Sequence, residues 1–262
     1  MIKILREKKE FRETRGGMKK TDIYRNLSRF YDEKWGDWHK LHIPVLCRLL
    51  ESRCPPVSRI LDLGCGTGAL VEHLCSRGHR AEGIDVSPEM IEIAKKRDVQ
   101  GSPFRVQNLC RFSTDQKYDL VTCTFHTLNY QEKSLLDDLF FSVSMALNMG
   151  GVFLFDSYTE HQLRKNHHGS VKHTSGSGPF IEERSYSQKA RTALTRFRFP
   201  DGSEELHKQY PYGLTDVLSS IMNAGLYVLY SYGGFNEEPY TAESEQLVCV
   251  VAKPSPETKA RG

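Results

Sequence analysis

The chain has 262 residues, 39% apolar and 26% charged, a balance that excludes collagen-like, disulfide-scaffold and wholly disordered chains. No stretch reaches the ~20 consecutive apolar residues of a membrane helix, and MIKILREKKE turns charged too soon for the apolar core of a signal peptide. The net charge of +3 is uneven: residues 1–20 hold eight Lys and Arg against three Glu, which leaves 28 basic and 30 acidic residues elsewhere.

A soluble, cytoplasmic protein is therefore expected, with a basic, flexible leader over residues 1–20 ahead of a mildly acidic body. Met18 offers an alternative start. Cys47, Cys54, Cys65, Cys75, Cys110, Cys123 and Cys249 form no CxxC pair, and the ten histidines show no HExxH spacing. Reduced, buried thiols and no metal site follow from that pattern.

In chain order, IYRNLSRFYDEKWGDWHK repeats Tyr24, Leu27, Phe30 and Tyr31 at helical spacing and holds both tryptophans, Trp35 and Trp38. SRILDLG is a continuous apolar run, which predicts a strand buried on both faces. Leu70, Val71 and Leu74 then mark one face of a helix ending at Gly78. AEGIDV predicts the second strand, and Ser87-Pro88-Glu89 starts a helix with a capping serine and a first-turn proline. FRVQ, YDLVTCTF and GVFLFDSY predict further strands, the last two separated by a helix over Leu135–Leu147. Strand and helix alternate from residue 58 to 156, the pattern of a doubly wound parallel sheet.

Residues 159–178 are polar and rich in Gly, Ser and His, which predicts a loop. IEERSYSQ, ALTRFRF and EELHKQYPY alternate like antiparallel strands, with the turn PDGS before the third. In EELHKQYPY, Glu205, His207 and Gln209 share one face, with Leu206, Lys208 and Tyr210 on the other. TDVLSSIMNAG is a helix, and LYVLYSY and EQLVCVVA are two last strands before a solvated tail over 253–262.

The chemistry concentrates in LDLGCGTG, residues 61–68. Gly64, Gly66 and Gly68 fall in a strand-to-helix turn, where glycine allows positive φ and close ligand approach. Asp85, 21 residues after Gly64, ends the next strand, where a carboxylate accepts from both hydroxyls of a ribose. GxGxG replaces the dinucleotide fingerprint GxGxxG, and Asp62 before the first glycine suits a cationic amino-acid moiety rather than a pyrophosphate.

LDLGCGTG, GIDVSPEM, YDLVTCTFHTLNY and GGVFLFD together resemble the class I S-adenosyl-L-methionine-dependent methyltransferases, over residues 24 to 252. The resemblance implies an α/β fold: a Rossmann-like, doubly wound, seven-stranded sheet, with a helical lid over about 21–50 and a small antiparallel β cap over about 159–212, inserted after strand five. The methyltransferase domain would span 21–252. The cofactor would be S-adenosyl-L-methionine, released as S-adenosyl-L-homocysteine. Gly64, Cys65, Gly66 and Gly68 would pack on its methionine part, Asp62 would reach the amino group, and Asp85 would hold the ribose. Val86 and Met90 would flank the adenine. Asn108 would accept from the adenine amino group, where the family usually carries Asp, and Leu109 would offer its N–H to the ring.

By the same resemblance, the segment after strand four faces the methyl group, which places Thr124 at the cofactor and His126, Asn129 and Tyr130 at the acceptor. His126 stands where related small-molecule enzymes carry an acid, and it could take a proton from the nucleophile. Tyr24 and Tyr31 of the lid would surround the sulfonium by cation–π attraction, with Tyr31 and His126 as the candidate catalytic pair. Trp38 and His39 of the lid, and His207 and Tyr210 of the cap, would complete the acceptor site. The late insertion resembles the cap of small-molecule N-methyltransferases. In-line methyl transfer to N or O of a small molecule is the expected reaction, with no membrane partner; monomer and homodimer both fit. An RNA or protein methyltransferase, or a non-catalytic cofactor-binding protein, is the alternative. Against a nucleobase target, no DPPY or NPPY follows the fourth strand and the body lacks basic excess.

Overall fold

The computed structural model describes residues 23–53, 58–97, 99–101 and 103–256; the basic leader, Cys54 and residues 257–262 lie outside them. Two helices, α1 (Ser28–Trp35) and α2 (Ile43–Ser52), joined through a 3-10 turn over Trp38–His42, precede the first strand. Then come β1 (Arg59–Leu63), α3 (Ala69–Ser76), β2 (Arg80–Asp85), α4 (Pro88–Ala94), β3 (Phe104–Val106), β4 (Tyr118–Cys123), α5 (Leu136–Ala146) and β5 (Leu147–Tyr158). After α6 (Glu160–Asn166) follow β6 (Gly169–His173), β7 (Phe180–Ser187), β8 (Thr192–Arg198) and β9 (Glu204–Gln209). The chain closes with α7 (Leu214–Asn223), β10 (Tyr227–Tyr232) and β11 (Gln246–Ala252).

The main sheet runs β10-β11-β5-β4-β1-β2-β3, parallel throughout except that β11 is antiparallel to both β5 and β10. Its strands read as apolar runs because both faces are covered. Leu61, Leu63, Val121, Phe153 and Phe155 pack on one side, and Ile60, Leu120, Val152, Leu154 and Val248 on the other. The chain builds outward from β1 to β3, then crosses back to β4. That reversal opens a crevice at the carboxyl ends of β1 and β4, the position where open α/β sheets bind ligands.

The local signals explain the elements that shape this crevice. Ser87 caps α4, its hydroxyl accepting the Met90 N–H at 3.2 Å. Gly78 adopts φ 87° just past α3, as a helix-ending glycine should. Asp216 reaches back to the Gly213 N–H at 3.0 Å and so caps α7.

The loop expected over 159–178 is instead α6 followed by the edge strand β6, so the cap is a four-stranded antiparallel sheet, β6-β7-β8-β9. Thr159 caps α6 through the Gln162 N–H, and β6 gains its strand state by pairing with β7. Lid and cap meet in a core of their own: Leu27 and Phe30 bury against Phe180, Phe197 and Phe199. At ~1.5–3 kcal/mol for each large apolar side chain, this cluster is what seats the lid. Among the described residues six cysteines form no disulfide, and no helix is long and apolar enough to cross a membrane.

Candidate active site

The glycine turn after β1 is shaped for close approach. Gly66 has φ 53°, and a Cβ built on it would meet nothing nearer than Tyr31 at 4.0 Å, so its open side faces a cavity. Gly68 differs: a Cβ there would strike the Phe104 ring at 2.8 Å. Its role is packing of the turn, not the ligand contact expected of it. Asp85, at the end of β2, ties the turn to α4. One carboxylate oxygen accepts the Gly66 N–H at 3.0 Å and the other the Ser87 N–H at 2.8 Å. Burial pushes the Asp85 carboxyl above its ordinary value, and the amides of Ser87, Gly66 and Val86 pull it back.

Two cavities meet beneath the lid. The first, about 240 Å³, holds Gly64, Gly66, Asp85, Val86, Met90, Asn108 and Leu109. It offers a carboxylate, an open glycine face and apolar flanks, which is the donor and acceptor set a nucleoside needs. Asn108 also serves the backbone, its side-chain oxygen accepting the Cys110 N–H at 2.9 Å. The second cavity, about 230 Å³, lies between lid, cap and sheet and includes Trp38, His126, Tyr158, Glu182, Arg184 and His207. Tyr24, Tyr31, Phe125 and Tyr130 border both cavities and so form the wall between them.

A small third hollow beside the glycine turn contains Asp62, Cys65, Thr124 and His39. Asp62 is buried, accepts the Thr122 hydroxyl at 2.7 Å and has its carboxyl pushed up to about 7, by burial first. A cationic ligand group here binds the ionised form, whose share falls as pH drops through 7. Affinity for S-adenosyl-L-homocysteine, whose amino group is cationic, should therefore weaken from pH 8 to pH 6, approaching about tenfold per unit below 7. Titration calorimetry should also register proton release on binding near pH 6.5. Asp62→Asn should flatten that pH dependence; an unchanged slope in the variant would remove Asp62 from the ligand's ammonium.

The loop after β4 carries the strongest electrostatic feature. Phe125 and His126 both adopt left-handed backbone, φ 67° and 58°, a strain of ~1–3 kcal/mol each that surrounding contacts must hold. Asp156, at the end of β5 and fully buried, holds it: one oxygen accepts the His126 N–H at 3.0 Å and its Nδ1 at 2.8 Å. The other faces His42 Nε2 of the lid at 3.2 Å. Burial alone would raise the Asp156 carboxyl, but the two imidazoles, His126 foremost, hold it well below the usual carboxylate range. An ionised carboxylate only accepts, so Nδ1 of His126 carries the proton. Nε2 of His126 is buried, without a hydrogen-bond partner, on a residue that borders the second cavity.

Several expected residues stand elsewhere. Asn129 lies outside both cavities and is a structural clamp. Its Nδ2 donates to Ser157 Oγ and to the carbonyls of Tyr158 and Tyr210, and its Oδ1 accepts the Tyr158 N–H. His39 turns to the Gly36 carbonyl at 2.7 Å and does not border the second cavity. Tyr210 borders the first cavity, not the second, because the two faces of β9 serve different cavities. Tyr31 borders both cavities, and burial pushes its hydroxyl far up, which holds it as a neutral phenol and disfavours the role of base. Asp156, His42 and Glu205 were not among the expected site residues. The Asp at the end of GVFLFD was the one visible signal, a lone acid in an apolar strand.

The chain is similar to known proteins in sequence and in fold. The family model described as "Methyltransferase domain" matches residues 60–151. GWCH70_2453 of Geobacillus sp. (strain WCH70), a protein named as a methyltransferase, is 30% identical over 213 residues, covering 74% of this chain and 84% of the relative. The dTDP-4-amino-2,3,4,6-tetradeoxy-D-glucose N,N-dimethyltransferase of Saccharopolyspora spinosa is 32% identical over 118 residues, 45% of each chain. In the crystal structure of an S-adenosylmethionine-dependent methyltransferase from Clostridium acetobutylicum ATCC 824 the fold recurs with a TM-score of 0.73 at 21% identity, over 88% of this chain and 99% of that one.

Proposed function

The chain belongs to the S-adenosyl-L-methionine-dependent methyltransferases, and from that premise we propose that it methylates a nitrogen or oxygen of a small molecule held between lid and cap. The observation that carries this reading is the unpartnered Nε2 of His126, backed by the buried carboxylate of Asp156, at a cavity that shares its wall with the cavity of Asp85 and the glycine turn. About 230 Å³ lies just below the range of drug-sized sites and suits a small acceptor. The dTDP-aminosugar relative favours nitrogen.

In this reading Gly64, Gly66 and Asp62 hold the methionine part of the cofactor, Asp85 the ribose, and Val86, Met90, Asn108 and Leu109 the adenine. When bound, S-adenosyl-L-methionine supplies a methyl group activated by its sulfonium. Tyr24, Tyr31 and Phe125 line the wall between the cavities and exclude water there, with Trp38 at the second cavity, and positioning alone is worth ~7–11 kcal/mol. His126 Nε2 takes the acceptor's proton, and Asp156 stabilises the imidazolium that results.

The test is a screen with cofactor labelled in its methyl group against amines, aminosugars, amino acids, phenols, RNA and protein. Label is expected in a small-molecule amine or hydroxyl compound. Label found only in RNA or protein would overturn the reading.

A further inference from the structure

Glu205 of β9 is a buried carboxylate that the methyl-transfer scheme leaves unused. It accepts four donors: the backbone N–H groups of Tyr24 (3.2 Å), Asn26 and Leu27 (3.2 Å), and His207 Nε2 at 3.2 Å. Tyr24 is held in left-handed backbone, φ 68°, by these contacts. Three of these contacts are backbone N–H groups, which can only donate, and the carboxylate that gathers them accepts from Nε2 of His207 as well. In the neutral ring Nδ1 is then an acceptor, and it faces the Tyr130 hydroxyl at 3.1 Å. Tyr130 must donate to it, which leaves the Tyr130 oxygen to accept the Tyr24 hydroxyl at 3.0 Å.

The chain of bonds therefore has one direction, from Tyr24 through Tyr130 and His207 to Glu205. Its head lies at the wall shared by the two cavities, since Tyr24 and Tyr130 border both. Burial holds both phenols in their neutral form, as the chain requires.

We propose that Glu205 and His207 are positioning residues that commit the Tyr24 hydroxyl to Tyr130, so that Tyr24 Oη presents only a lone pair at the wall, where it accepts a hydrogen bond from the N–H of a nitrogen nucleophile. The inference rests on the assignment of the first cavity to the cofactor and the second to the acceptor. It also sharpens the acceptor class. With His126 Nε2 as a further lone pair on the second cavity, an ammonium or primary amine can meet both with hydrogens of its own, and a hydroxyl, with one hydrogen, can meet only one of them.

Sinefungin tests this without knowledge of the acceptor, because it carries a primary amine where the cofactor carries its transferable methyl. Its affinity is compared by calorimetry with that of S-adenosyl-L-homocysteine, which has no group there, on the full-length protein. The wild type should bind sinefungin at least about tenfold more tightly, the factor one charge-assisted hydrogen bond contributes. Tyr24→Phe keeps the ring and should lower that ratio by about tenfold, with S-adenosyl-L-homocysteine affinity changed less than about threefold. Glu205→Gln, nearly the same shape, sets an amide donor at the position that faces both His207 and the Tyr24 N–H and so breaks the chain at its end; it should lower the ratio as much while thermal denaturation reports a folded protein. Where Glu205→Gln fails to fold, Tyr130→Phe interrupts the chain in its middle and carries the same expectation. A ratio that survives Tyr24→Phe, or that survives breaking the chain at Glu205 or Tyr130, overturns the proposal. Wild type that binds S-adenosyl-L-homocysteine but gains nothing from the amine overturns it too and leaves the cavity assignment standing. Wild type that binds neither strikes at the assignment itself.

Discussion

Gly66→Arg abolishes cofactor binding: at concentrations that saturate the wild type, calorimetry with S-adenosyl-L-homocysteine should show no heat, a loss of at least about 100-fold. Three effects add. An L-residue at φ 53° costs ~1–2 kcal/mol of backbone strain. The new side chain points into the first cavity, where the nearest atom to its Cβ is Tyr31 at 4.0 Å, so it occupies ligand space. Its guanidinium lies beside Asp85, whose Oδ2 already accepts the Gly66 N–H, and pairing would remove the acceptor the ribose needs. Gly78→Ala is the matched control. It has φ 87° and open space around it, so it should lower the melting temperature by a few degrees through strain alone and leave the affinity unchanged. Gly66→Arg that still binds within threefold of the wild type would show that the turn is not the cradle.

What could be read in advance divides along one physical line. Gly64, Gly66, Asp85, Val86, Met90, Asn108 and Leu109 meet in one cavity because each sits at or just past the carboxyl end of a strand in an alternating βα chain. Their convergence follows from the order of strands, which the apolar runs already announce. The fourth cap strand had no such signal. In GSVKH the apolar residue, Val171, is 43% exposed, so no periodicity marks it, and pairing with β7 alone makes it a strand. Asp156 and Glu205 were hidden for a further reason. An acid within or beside a buried strand has no local meaning; Asp156 acquires one from His126 and His42, which are 30 and 114 residues away, and Glu205 from a lid turn 178 to 181 residues away. The same locality misled for Asn129. It stands beside the loop that borders the second cavity, but its carbonyl and amide are consumed in fastening that loop to β5 and to the segment after β9.

Asp156→Asn should lower turnover by about 10²–10⁴-fold, on whichever acceptor the labelled-methyl screen selects, while cofactor affinity stays within threefold. The amide can keep its oxygen on the His126 N–H and Nδ1 and turn its NH₂ to His42 Nε2, so the strained loop survives with its shape nearly intact. What is lost is the charge. In the wild type the carboxylate is ionised across the working range, because the imidazoles hold it below the usual carboxylate value against the opposing effect of burial. It fixes the proton on Nδ1, leaves the lone pair on Nε2, and stabilises the imidazolium once the acceptor's proton arrives. The depressed carboxyl also contributes folding stability that is present above its unfolded value near 4 and lost as pH falls toward its folded value. Asp156→Asn should therefore flatten the acid side of the stability profile as well. The double variant Asp156→Asn/His126→Ala separates the roles: if Asp156 acts through the imidazole, removing His126 from the variant costs little further turnover. Losses that multiply in full would mean that the two residues act independently. An equal loss of cofactor affinity and turnover in Asp156→Asn would reduce the carboxylate to a support for the loop after β4.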